Sequence, residues 1–77
     1  MTYDEIKKEL ELRFKNKQCN AIFSIGGHLR FPTIICSFEF KGQKCYSGRE
    51  FLSSQIEDID FIESIFSIII NNKIITL

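Results

Sequence analysis

The residues of this chain that could do chemistry are one histidine, His28, three cysteines, Cys19, Cys36 and Cys45, and ten carboxylates. Nucleophilic catalysis needs a nucleophile, a base and a group that orients the base. Any such triad would have to be built on His28, which follows Gly26-Gly27 in a turn-prone stretch. Cys19, His28, Cys36 and Cys45 could make a Cys3His zinc site by number, but structural zinc sites draw their ligands from close pairs and none is present here. An odd cysteine count without paired spacing also differs from a disulfide framework. Three reduced thiols, no metal and no cofactor are therefore expected. Gly26-Gly27 lacks the downstream Gly-Lys-Ser/Thr of a phosphate loop and the full glycine fingerprint of a dinucleotide site, so it reads as a turn. The roles needed for catalysis are not assembled, and the expectation is a protein that is not an enzyme.

The elements that would position these residues follow from periodicity. From Thr33 to Lys41, apolar Ile34, Cys36, Phe38 and Phe40 alternate with Thr33, Ser37, Glu39 and Lys41, the period of a strand with one buried face. A hairpin turn at Gly42-Gln43 leads into a strand over 44–48 and sets Phe40 against Cys45. Cys36 then lies about four residues, roughly 13 Å, further along, too far for a disulfide. A first strand is expected over 20–25, closed by Gly26-Gly27. Upstream, Thr2-Tyr3-Asp4-Glu5 has capping-box spacing, and Tyr3, Ile6, Leu10 and Phe14 form one helical stripe. Asp4 with Lys8, Glu9 with Arg13 and Glu11 with Lys15 are set four apart as exposed ion pairs; Leu12 lies off the stripe. Residues 49–56 read as a turn or short helix. From Glu57 to Asn71 the apolar positions cover an arc of roughly 200° of a helix. An extended tail over 73–77 follows, with a hairpin around Asn71-Asn72 as the competing pattern. The fold class is α+β, one domain over residues 1–77: an N-terminal helix, a three-stranded antiparallel meander, a C-terminal helix and a possible short terminal strand.

The composition, 44% hydrophobic and 26% charged over 77 residues, supports one small core. Ten basic and ten acidic groups cancel, which removes a global field for nucleic acid or an anionic membrane. Residues 1–50 nevertheless carry nine Lys or Arg against six Asp or Glu, and residues 51–77 carry one against four. No apolar stretch follows a basic start, so a cytoplasmic location and no membrane partner are expected.

Helix, three strands and helix is the order of the double-stranded RNA-binding domain, and in layout this chain resembles that family. Its lysine cluster at the start of the last helix would fall near Arg49 to Ile59, where Glu50, Glu57 and Asp58 stand instead and would repel phosphates. A nucleic-acid-binding module is thus the alternative function. The chain also resembles, in layout over its whole length, the small anti-CRISPR inhibitors made by phages and mobile elements. That resemblance implies a protein that blocks a surface or an assembly step of a host defence complex such as a CRISPR effector.

Two contact surfaces are expected on these grounds. The wide apolar arc of the last helix suggests a homodimer or a self-associating assembly protein. The loop between the first two strands holds His28, Leu29, Arg30 and Phe31 between paired glycines and Pro32, a proline that cannot donate within a central ladder, and it is the candidate site for a different protein partner.

Overall fold

The computed structural model describes residues 1–76, with side chains through Lys73. Helix α1 spans Tyr3–Asn16, strands β1, β2 and β3 span Ile22–Gly27, Pro32–Phe40 and Gln43–Glu50, and helix α2 spans Ile59–Thr76. The sheet is antiparallel in the order β1-β2-β3, giving the α+β fold read from the sequence.

Helix α1 starts where its capping residues dictate. The Glu5 amide donates to Thr2 Oγ1 at 3.2 Å, and the Thr2 amide donates to Glu5 Oε1 at 2.9 Å, so both free donors are met reciprocally. The helix buries Ile6, Leu10 and Phe14, while Tyr3 and Leu12 stay exposed. It ends in a Schellman motif: the Cys19 amide donates to Phe14 O and the Gln18 amide to Lys15 O, both at 2.9 Å. Closing that motif puts Gln18 at φ 63°, a conformation normally left to glycine.

Strand β2 carries the predicted alternation, with Ile34, Cys36 and Phe38 buried. The hairpin register differs from the expectation by two residues. Phe40 pairs with Gln43, so the turn residues are Lys41 at φ 53° and Gly42 at φ 77°, both left-handed as a type I′ turn requires. Phe38, rather than Phe40, therefore faces Cys45, and Cys36 lies two positions away instead of four. All three cysteines are free thiols. The first and third strands run on to Gly27 and Glu50, past the ends expected for them.

A single 3-10 turn, Ser53–Gln55, leads toward α2. Asp58 caps this helix, its Oδ1 accepting the Phe61 amide at 3.2 Å and its carbonyl the Ile62 amide at 3.1 Å. Instead of stopping near Asn71 the helix continues to Thr76, so residues 73–76 are neither an extended tail, a hairpin arm nor a terminal strand. The last residue of that tail, Leu77, lies outside the described residues. A tertiary contact holds the extra turn: Lys73 Nζ donates to the Tyr46 carbonyl at 2.7 Å.

Both helices contribute to one core on one sheet face. Phe23 meets Phe14 with ring centroids 5.4 Å apart and Phe66 edge-on at 5.4 Å, and Ile62 and Ile70 are buried in the same cluster. A charged clasp closes the helix pair. Arg13 binds Glu9 at 3.1 Å, Glu63 at 3.0 Å and Asp60, and Lys17 binds Glu63 at 2.6 Å. Glu63 thus faces α1 rather than solvent, and the Lys17 hydrogen bond, then Arg13, holds its carboxyl below the usual range against partial burial.

Candidate protein-binding face

The register sorts the sheet into two faces. Along β2 the even-numbered residues point into the core; Thr33, Ile35, Ser37 and Glu39 point out. Their neighbours build four outer rows. They are Glu39 with Lys44, Ile22 with Ser37 and Tyr46, Ser24 with Ile35 and Gly48, and Gly26 with Thr33 and Glu50. Ile22, Ile35 and Tyr46 are 59%, 42% and 61% exposed, and among the described residues no element covers them.

The ladder does not stop where β2 begins. The Phe51 amide donates to Pro32 O at 2.9 Å and the Ser53 amide to Arg30 O at 3.0 Å, which continues the β2 to β3 register into the loop. Proline is tolerated there because its carbonyl alone is used. The same register sets Phe31 opposite Leu52, one row beyond Thr33 and Glu50, and both side chains are exposed.

The four predicted loop residues are all exposed, Leu29 at 82%. Their backbone is fixed nonetheless. Besides the Ser53 bond, the Phe31 amide donates to His28 O at 3.2 Å, and the Arg30 amide donates to His28 Nδ1 at 3.1 Å. The His28 ring also lies 6.1 Å from that of Phe31, so the histidine serves loop closure. No group of three or more His, Cys, Asp or Glu among the described residues could hold a metal.

Sequence reasoning missed Ile22, Ile35, Tyr46 and Leu52. Ile35 carried the readable signal, because it is an apolar residue in the polar phase of an otherwise clean alternation. Leu52 could be placed only once the ladder was seen to continue past Glu50.

On the last helix, Ile59, Ile62, Phe66 and Ile70 are buried and Ile65 and Ile69 pack against the core, which leaves Phe61 and Ile68 as the exposed large apolar side chains of the expected arc. The start of α2 is acidic, with Glu57 paired to the Met1 ammonium at 3.0 Å and Asp60 to Arg13. A cleft of about 700 Å³ lies between the end of α1, the β2 to β3 hairpin and α2. Its Lys17 is already committed to Glu63 and Ser67. No described helix is long and apolar enough to cross a membrane.

No family model, curated protein or solved structure matches the chain.

Proposed function

We propose that this protein is a non-catalytic binding domain that engages another protein through the end of its sheet formed by His28, Leu29, Arg30, Phe31 and Leu52. The observation that carries the reading is the pairing of exposed side chains with a fixed backbone. Leu29, Phe31 and Leu52 are displayed to solvent while the loop that bears them is tied by hydrogen bonds to the β3 extension. A preorganised loop loses little conformational entropy on binding, and aromatic and Arg side chains are the types that most often anchor interfaces. The narrower form of the proposal is an inhibitor that occupies a surface of a host defence complex such as a CRISPR effector.

The test is recovery of a partner by tagged wild-type protein and by an Arg30→Ala, Phe31→Ala double variant, with melting curves of both. Loss of the partner at an unchanged melting temperature supports the loop as the site; full retention removes it. Adding salt distinguishes the alternative. Affinity for nucleic acid would fall steeply between 50 and 200 mM salt, and Glu57, Asp58 and Asp60 at the start of α2 speak against phosphate contacts there. Self-association through Phe61 and Ile68 of α2 is a separate proposal, read out by the oligomeric state of an Ile68→Ser variant.

A further inference from the structure

We infer that the outer face of the sheet is a self-complementary surface whose occupant is a second copy of this chain. The four outer rows are not uniform, since on each strand the two central rows set one large side chain beside one small residue. On β3 the outward residues run Lys44, Tyr46, Gly48, Glu50; on β2 they run Glu39, Ser37, Ile35, Thr33; on β1 they run Ile22, Ser24, Gly26. A second copy can be laid on this face by a half-turn about an axis that lies in the face, perpendicular to the strands and midway between the Tyr46 and Gly48 rows. That operation puts each strand over its own counterpart, running the opposite way. Tyr46 then meets the partner's Gly48, Ile35 the partner's Ser37 and Ile22 the partner's Ser24, a large side chain over a small one in every case. Lys44 meets the partner's Glu50, and every contact occurs twice, as a two-fold interface requires. Aligned sheets cross at about 30°, so the central rows hold this register best and the long Lys44 and Glu50 side chains span the corners.

The other in-plane half-turn, about the axis of β2, gives the opposite result. Glu39 would face the partner's Glu39, Ile35 the partner's Ile35 and Tyr46 the partner's Ile22, with Ser37 against Ser37 between them. Charge and volume both select the first arrangement.

Gly48 is the most telling position. Its backbone is not in the left-handed region, and an added methyl would sit in ordinary contact with Ile35 Cγ1 at 3.6 Å and Thr33 Cγ2 at 4.0 Å. A single copy has no conformational or packing need for glycine there, and glycine weakens a strand interior. What the glycine leaves is a depression beside Ile35, at the place where the partner's Tyr46 ring arrives. Three strands by four rows cover roughly 15 by 25 Å, about 400 Å² per copy, from strand spacing and rise. Twice that area lies below the range of tight complexes, so the dimer is a weak one.

Sedimentation equilibrium of the full chain from about 10 μM to 1 mM, with melting curves, tests this. Wild type should pass from monomer to dimer in that range. Gly48→Ala should keep or raise the melting temperature of the dilute protein while weakening the dimer roughly tenfold or more, because the methyl fills the depression. Lys44→Glu should weaken it as well, and adding Glu50→Lys should restore it. The two positions are about 20 Å apart within one copy, so recovery reports the crossed contact. A protein monomeric at 1 mM overturns the inference, as does a dimer indifferent to Gly48→Ala, a charge reversal that the second substitution does not rescue, or a dimer abolished by Ile68→Ser on α2 and untouched by the sheet variants.

Discussion

The two faces of one sheet are built from alternate residues of the same three strands, yet they have different fates. Phe23 is fully buried and its neighbour Ile22 is 59% exposed; Ile34 and Cys36 are fully buried and Ile35 between them is 42% exposed. Hydrophobicity alone does not separate these residues, since Ile34 and Ile35 are chemically identical. What separates them is which face receives the helices. The inner face is paired with Ile6, Leu10 and Phe14 of α1 and Ile62, Phe66 and Ile70 of α2, and burial there drives folding. The outer face has apolar side chains with no described element set against them, which is the pattern expected of a surface shaped by contact with something else.

The sharpest way to break this contrast is to truncate neighbours of opposite fate. Phe23→Ala empties space between Phe14 and Phe66 and should destabilise the fold by about 3 to 5 kcal/mol, with Phe38→Ala of similar size. Ile22→Ala and Glu39→Ala, on the other face, should stay within about 1 kcal/mol of wild type. Denaturant midpoints measure all four. An Ile22→Ala cost matching that of Phe23→Ala in the dilute monomer would mean that the outer face is a second core.

Thiol chemistry reads the same contrast without changing stability much. Burial pushes the Cys36 thiol up to about 12, so it remains protonated and shielded on the inner face. Alkylation of the native protein should spare Cys36, while a cysteine placed at Ser24, exposed on the outer face, should react close to the rate of a free thiol. Mass mapping of the labelled sites decides. Because the folded value lies above the unfolded one, Cys36 contributes stability that is complete below the unfolded value and is lost as pH rises toward about 12.

The strand edges show how the inner arrangement is defended. In an antiparallel strand the amide and carbonyl of one residue point to the same side, and the Phe51 to Pro32 bond fixes which side that is for every strand. The outward amide of Phe23 on β1 is taken by Glu11 Oε2 at 2.9 Å, and the outward carbonyl of Tyr46 on β3 by Lys73 at 2.7 Å. Each helix therefore sends one charged side chain to one open edge, which obstructs edge-to-edge pairing. Glu11→Gln should cost about 1 kcal/mol, since a neutral acceptor replaces a charged one and the 2.9 Å pair with Lys7 is lost. A denaturant midpoint equal to wild type would show that the Glu11 contact contributes nothing.

Much of this fold was legible in the sequence, for identifiable reasons. The Thr2 to Glu5 capping box and the alternation of Ile34, Cys36 and Phe38 are local patterns, and both appear as read. The turn was misplaced by one residue because a type I′ turn wants two left-handed positions, and Lys41 occupies one that Asn or Gly would have advertised. The end of α2 was misjudged because Asn71-Asn72 resembles a stop, while the contact that holds the next turn runs from Lys73 to Tyr46, 27 residues away in sequence. The candidate site was half legible. Paired glycines and Pro32 marked His28 to Phe31, but Leu52 joins them only through the continued ladder, and Ile22, Ile35 and Tyr46 become one surface only through the register. The turn residues also offer a stabilising change. Gln18→Gly and Lys41→Asn relieve left-handed backbone at each site and should each raise stability by up to about 1 kcal/mol in chemical denaturation, whereas a loss would show that the side chain's own contacts outweigh the strain.

The smallest expected effect lies in the clasp that holds the helices over the inner face. Glu63 is kept ionised by Lys17 first and Arg13 next, so its carboxyl lies below the usual range in the folded protein. A lowered carboxylate contributes stability that is present above the unfolded value and is lost as pH falls through the folded one. Wild-type melting temperature should accordingly decline on acidification through the carboxylate range, and Glu63→Gln should flatten that decline while lowering the plateau near neutral pH. Glu5, held low chiefly by its hydrogen bond to the Thr2 amide, titrates in the same direction, so Glu5→Gln is the necessary comparison. The two variants should differ in salt response. Glu63 meets its partners as ions and its contribution should shrink with added salt, whereas the Glu5 capping bond to a backbone amide should be less sensitive. Equal acid profiles for wild type and Glu63→Gln would leave the Glu63 ion pairs without an energetic role.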